Sequence, residues 1–192
     1  MVRRSAILVR TGVKHKLKRI KLKKPRYSEK EQIAQALDRF LPDNCSEQIA
    51  DYILKFNVKF RISKPRQTKL GDYKKNPNES FHRISVNGDL NPYSFLVTTL
   101  HEFAHLTSFE AYGPRIKPHG KEWKAEFRKF LLTFINQDVF PKDLEIALMN
   151  YTMNPKATSC SDPTLLKELR KFSKKGEDPL LEDLEIGELF QF

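Results

Sequence analysis

The stretch Leu100-His101-Glu102-Phe103-Ala104-His105 decides how the rest of the chain is interpreted. Residues four apart on an α-helix lie on one face, so His101 and His105 can present two imidazoles to one metal ion. A catalytic zinc ion takes three protein ligands and a water molecule. Glu102 lies one step round the helix from His101, where it can act as general base toward that water. The spacing therefore indicates metal-assisted hydrolysis.

The flanking residues predict that this stretch lies well inside one helix. Asn91-Pro92 supplies an N-cap followed by proline at the first helical position, and Gly113-Pro114 ends the segment. One side of the helix would carry Phe95, Leu96, Leu100, Phe103 and Leu106, and the other Ser94, Thr98, His101, His105 and Ser108. We expect the first side to pack and the second to face a polar cleft. This favours a metal site over the alternatives, which are two solvated histidines or one hydrogen-bonded core histidine.

The third ligand must come from another part of the chain. His119 follows His105 by fourteen residues, across a loop that contains Gly113-Pro114 and Pro118, and it opens a second helical pattern. Aromatic residues recur at helical spacing from this histidine, at Trp123, Phe127, Phe130 and Phe134. We therefore expect His119 on the inward face of a second metal helix.

Two other third ligands can be considered. The pattern H-E-x-x-H-x-x-G-x-x-H would need glycine at 108 and histidine at 111, where the chain has Ser108 and Ala111. Glu126, seven residues after His119 on the same helix face, could be a ligand or the hydrogen-bonding partner of one. We favour His119.

Residues 100–105, the short Gly/Pro loop and the H-G-x-x-W pattern at 119–123 together resemble the SprT-like family of Spartan-type zinc metalloproteases. The resemblance covers residues 28–137 and implies a minimal α+β zincin-like domain. It also implies one zinc ion held by His101, His105 and His119, with Glu102 as catalytic base. Many family members continue into a four-cysteine zinc ribbon, which the two cysteines of this chain cannot form.

The remaining patterns predict helices and a small sheet within residues 28–137. Ser28 and Glu31 form a capping box that starts a helix running to Leu41, and a second helix follows Asn44 or Ser46 to about Phe56. We predict three antiparallel strands, at Val58–Ile62, Thr68–Tyr73 and Phe81–Val86. His82 is interpreted as a surface residue of the third strand. The expected fold is α+β, with helices packed on this three-stranded antiparallel sheet.

Residues 138–192 are predicted to form a helical extension with an acidic tail. One helix spans Pro141–Met153, and another starts at Asp162-Pro163 and is closed by Gly176. Cys160 lies between them and is interpreted as a structural thiol, with a zinc-ligating switch as the alternative. Six acidic residues and no basic residue follow Lys175.

The net charge of +11 is concentrated at the N-terminus. Residues 1–28 contain eleven basic and no acidic residues, and the remaining 24 basic and 24 acidic residues cancel. Residues 1–27, here called the arm, are interpreted either as a solvated tail or as a contact to DNA phosphates; a transit peptide fits less well because the arm is Lys-rich and Ser-poor. We expect nearly all nonspecific DNA affinity to reside in residues 1–28. The acidic tail could occupy the arm when DNA is absent.

These observations lead to two functional hypotheses. The first is a zinc-dependent endopeptidase that acts on DNA-associated or DNA-crosslinked proteins, the substrate class that the family resemblance implies. The second is a zinc-containing DNA-binding module that recruits partners without cleaving them. Two cysteines give no disulfide framework and no apolar run could span a membrane, so we expect a cytoplasmic monomer that could associate with the nucleoid.

Overall fold

The computed structural model describes residues 27–156 and 161–173 of the chain. These residues contain six helices and a three-stranded sheet. The elements, in chain order, are α1 (Glu29–Leu37), α2 (Ser46–Lys55), β1 (Val58–Ser63), β2 (Gly71–Lys75), β3 (His82–Asn87), α3 (Pro92–Tyr112), α4 (Lys121–Ile135), α5 (Lys142–Met153) and α6 (Pro163–Arg170). The predicted α+β class is confirmed.

The first helix has the predicted start and an earlier end. The side chain of Ser28 accepts a hydrogen bond from the backbone N–H of Glu31, and the Glu31 carboxylate accepts one from the backbone N–H of Ser28. The helix stops at Leu37 instead of Leu41. Phe40, which follows the helix, still packs on the core: its ring stacks on that of Phe95, with the centroids 5.4 Å apart. The helical spacing of apolar residues therefore predicted its burial correctly, although the helix ends before it.

The sheet is mixed, so the prediction of three antiparallel strands was wrong. Its order is β1-β3-β2, with β3 parallel to β1 and antiparallel to β2. β2 and β3 are consecutive in the chain and form an antiparallel hairpin. The other edge of β3 pairs with β1, so that β3 is the central strand. Alternation of apolar and polar residues in a strand indicates the face of the sheet on which each side chain lies. It does not indicate which strand pairs with it, or in which direction. The central strand is β3, which has His82, Ile84 and Val86 buried on one face.

The histidine-bearing helix α3 lies between the sheet and α4. Its predicted boundaries are confirmed, and the Asn91 side chain accepts a hydrogen bond from the backbone N–H of Ser94 at 2.9 Å. The side expected to face a polar cleft is more enclosed than predicted, because Thr98 and Ser108 are buried. Strand β2 packs over this side and covers it.

Helices α4, α5 and α6 pack in succession on the far side of α3 from the sheet. The Asn91 amide also donates hydrogen bonds to the backbone oxygen of Leu169 at 2.9 Å and to Ser173 Oγ at 3.0 Å, which joins the start of α3 to the end of α6. Cys160, Gly176, the acidic tail and all but Tyr27 of the arm lie outside the described residues. None of the described helices is long and apolar enough to cross a membrane.

Candidate metal centre

Three imidazole nitrogens converge between α3 and the start of α4. The Nε2 atom of His105 lies 3.1 Å from that of His101 and 3.0 Å from that of His119, and the His119–His101 distance is 3.2 Å. Three neutral imidazoles whose Nε2 atoms meet in this way cannot satisfy one another as hydrogen-bond donors and acceptors, because each ring has one donor and one acceptor nitrogen. The three side chains form a group that could hold a metal ion.

His119 reaches this group from an unusual backbone conformation. It lies before α4 rather than within it and has φ of 56°, in the left-handed region that costs a non-glycine residue about 1–3 kcal/mol. The next residue is Gly120, where an added Cβ would lie 2.9 Å from the backbone oxygen of Lys117. The turn that orients His119 therefore needs the small residue behind it.

Trp123 forms the floor of the histidine group. Its side chain is fully buried, and its ring centroid lies 4.7 Å from those of His101 and His119 and 5.4 Å from that of His105. The indole N–H also donates a hydrogen bond to the backbone oxygen of His101 at 3.4 Å. One buried side chain thus restrains all three imidazoles.

The protonation of the histidines suits metal binding. Burial lowers the pKa of His101 to about 2 and that of His105 to about 4, and nearby histidines add to both effects. Burial also lowers the pKa of His119. All three are therefore neutral at pH 7 and need lose no proton to become ligands. Nitrogens that bind zinc tetrahedrally at about 2.0–2.1 Å lie about 3.3–3.4 Å apart, close to the separations seen here.

The glutamate of the motif is buried beside the histidines. Glu102 is only 5% exposed, and burial raises the pKa of its carboxyl to about 8, with a smaller contribution from Asp72. A hydrogen bond from the backbone N–H of Tyr73 acts in the opposite direction. A cation held by the adjacent histidines would favour the ionised form, which is the form a general base requires.

Strand β2 presses directly on this glutamate. An added Cβ at Gly71 would lie 2.3 Å from Glu102 Oε1 and 2.8 Å from Thr98 Cγ2. We expect Gly71→Ala to displace the carboxylate or the strand and to lower the free energy of unfolding by about 1–3 kcal/mol. Urea unfolding of this variant, beside the exposed control Lys74→Ala on the same strand, measures the effect. Equal unfolding midpoints for both variants would show that the contact is not tight.

The model of the SprT-like family matches residues 30–137, more than half of the 192-residue chain. The chain belongs to the SprT-like family. Membership indicates a zinc-metallopeptidase-like domain, and the matched residues include the whole histidine group and Glu102.

Curated relatives of this SprT-like chain match over a short stretch. Proteins named Protein SprT from Pseudomonas aeruginosa strain LESB58 and from Pseudomonas paraeruginosa are each 52% identical to it over 31 residues. This stretch is 16% of the present chain, and the chain covers 19% of the length of either relative. No solved structure matches significantly.

A buried polar group beside the three histidines was missed by sequence reasoning. His82 is buried, so its interpretation as a surface residue was wrong. Its Nδ1 lies 3.0 Å from the Tyr73 hydroxyl, and its Nε2 lies 3.1 Å from Glu110 Oε1. The Tyr73 ring is parallel to that of His105 within 4°, at 6.4 Å. The sequence did indicate that His82 is buried, because residues 82, 84 and 86 of a strand lie on the same face and Ile84 and Val86 are apolar.

Glu126, the alternative third ligand considered from the sequence, lies apart from the histidine group. It forms an ion pair with Lys129, one turn along α4, and does not belong to the group of possible metal ligands among the described residues.

Proposed function

We propose that this SprT-like domain is a zinc-dependent endopeptidase. The observation that carries the proposal is the convergence of three neutral imidazoles within 3.0–3.2 Å of one another beside a buried glutamate. Zinc would be held by His101, His105 and His119, and it would supply Lewis acidity toward a water molecule and the scissile carbonyl.

The chain's own residues would carry the proton transfers. Glu102 would accept a proton from the attacking water on a carboxylate oxygen and return it to the leaving amine nitrogen. On the side of β2, the absence of a side chain at Gly71 leaves the space that this carboxylate occupies, and the backbone N–H of Tyr73 favours its ionised form. The buried Trp123 side chain packs against the histidines and would exclude water from that side of the site.

A measurement of bound metal and of cleavage tests the proposal against the non-catalytic module. We expect the purified chain to contain about one zinc ion per molecule, and to cleave an unfolded casein substrate until a chelator removes the metal. Zinc bound with no cleavage, even in the presence of DNA, would favour the recruitment module. A structural zinc site needs neither an open coordination position nor a carboxylate beside it, which is why we place the peptidase first.

We also propose that the substrates are proteins associated with DNA, and that the arm brings the domain to DNA. Each phosphate neutralised by a basic side chain releases counterions, so binding through eleven positive charges would depend steeply on salt.

Deletion of residues 1–27 is expected to lower DNA affinity by several orders of magnitude at about 50 mM salt and to leave the metal content unchanged. Fluorescence anisotropy of a labelled duplex at several salt concentrations, together with metal analysis, measures both. If affinity and salt slope equal those of the parent, the arm is only a solvated tail.

A further inference from the structure

Charge is divided unevenly along the residues that follow position 28, although these residues are neutral in sum. Residues 58–87, which contain the three strands, hold eight basic and two acidic residues. The other residues after position 28 hold 16 basic and 22 acidic residues. The sheet segment is therefore +6 and the other residues after position 28 are −6, of which residues 174–192, with two basic and six acidic residues, contribute −4.

The sheet places these charges on one face. The register aligns Lys59, Arg83 and Lys74 in a row across β1, β3 and β2, and all three are exposed. With strands about 4.8 Å apart, this row spans about 10 Å. The opposite side of the sheet carries the buried Ile84 and Val86 and packs on α3. The cations thus occupy the face that no described helix covers.

A second row of neighbouring residues lies on the same face, two residues along each strand from the first row. It contains Arg61, Ser85 and Asp72. The Arg66 guanidinium lies over it and donates a hydrogen bond to Ser85 Oγ at 3.1 Å, and Lys69 pairs with Asp72 at 2.7 Å. We call the six cations the basic face: Lys59, Arg61, Arg66, Lys69, Lys74 and Arg83.

The acids near the basic face do not neutralise it. Asp72 pairs with Lys69 and Lys74, and Glu79 pairs with Arg83. Two carboxylates are therefore shared among three of the six cations. Arg61 is exposed and forms no ion pair with any carboxylate in the described part of the chain. Like charges held together at this density repel one another, and a polyanion would relieve that repulsion.

An aromatic ring borders the basic face. The Lys59 ammonium lies 3.5 Å from the ring centroid of Phe81, and the Arg83 guanidinium lies 4.9 Å from it. The ring is half-buried, so part of its surface remains accessible. Cations beside an aromatic ring on an open sheet are a combination that binds nucleic-acid strands, through phosphates and through stacking of bases.

The basic face lies on the strand that walls the metal centre. In β2, Gly71 contacts Glu102 and the Tyr73 ring is parallel to that of His105, whereas Asp72 and Lys74 point to the opposite side. A nucleic acid on the basic face would therefore be separated from the metal centre by the thickness of one edge strand. A protein attached to that nucleic acid could reach the histidines around the β2 edge.

We propose that the basic face binds the phosphate backbone of a nucleic acid, as a second contact in addition to the arm, so that the affinity is divided between the two instead of residing nearly all in residues 1–28. The other occupant that its charge would suit is the acidic segment 177–192 of this chain, which carries six acids. The aromatic ring beside the cations favours the nucleic acid, which offers both phosphates and bases. The proposal concerns binding and does not require that the domain cleave peptide bonds.

The test removes three exposed cations from the basic face of the full chain. The variant is Lys59→Gln, Arg61→Gln and Lys74→Gln. The matched control removes three exposed cations from the helices beyond α3, with Arg128→Gln, Lys142→Gln and Lys167→Gln. Both lose the same net charge. Anisotropy of a short fluorescein-labelled deoxyoligonucleotide, single-stranded and as a duplex, is measured from about 50 to about 200 mM salt.

For the face variant we expect a salt slope shallower by about 2–3 and an affinity about 100-fold weaker at about 0.1 M salt, with metal content and circular dichroism unchanged. The control should stay near the parent. Arg61→Gln alone should reduce the slope by about 0.7–0.9, and this holds even if the triple variant folds poorly. Parent-like slopes for Arg61→Gln and the triple variant, or equal losses in the control, would overturn the proposal. If the acidic segment occupies the basic face instead, the face variant will lose no nucleic-acid affinity, which also overturns it.

Discussion

Replacement of Glu102 by glutamine is expected to lower the rate of peptide hydrolysis by about 10²- to 10⁴-fold, the usual contribution of a positioned general acid–base group. Glutamine has nearly the same size and can still accept the hydrogen bond from the backbone N–H of Tyr73. It cannot take a proton from water. Because the metal would be held by the histidines, the zinc content should equal that of the parent.

A matched control for this experiment is Glu126→Gln, which changes a glutamate of α4 that pairs with Lys129 away from the histidine group. This control should keep the parental rate and metal content. Cleavage of casein by Glu102→Gln at the parental rate would contradict the assignment of the base. Loss of zinc together with activity would show instead that Glu102 supports the metal directly.

Removal of the third imidazole is expected to have the largest effect on metal retention. His119→Ala leaves two of three converging nitrogens, so zinc affinity should fall by well over the roughly 10- to 100-fold that loss of a ligand's hydrogen-bonding partner costs. Glu126→Ala should retain zinc like the parent. Bound zinc after dialysis against a weak chelator separates the two variants.

The opposite result would revise the ligand set. If His119→Ala retains as much zinc as the parent while Glu126→Ala loses it, the third ligand is the glutamate on α4. A second check is available because His119 has a left-handed backbone conformation, in which alanine keeps the strained Cβ and glycine has none. His119→Gly therefore relieves a strain that His119→Ala retains, and both variants should lose zinc equally if the imidazole is what matters.

The sequence predicts the metal helix well because its signals are local. The Asn91 cap, Pro92 and Gly113 fix both ends of α3, and i, i+4 spacing fixes the relation between His101 and His105. The order of the strands depends on contacts between distant segments, which alternation within a strand does not encode. That is why the parallel pairing of β1 with β3 was missed.

The parts of the site that were missed also depend on the assembled fold. The left-handed conformation of His119 and the contact of Gly71 with Glu102 arise where separate elements meet, and neither residue has a local pattern that indicates it. His82 is different. Its alternation with Ile84 and Val86 predicts an inward side chain, and interpreting it as a surface residue gave polarity more weight than position.

We propose above all that one zinc ion lies among His101, His105 and His119. Diffraction from crystals of the full chain, recorded just above and just below the zinc absorption edge, tests this directly. We predict a single anomalous peak, present only above the edge, at the point where the three Nε2 atoms converge. An absence of any peak in zinc-loaded crystals, or a peak coordinated by Glu126 in place of His119, would contradict the account.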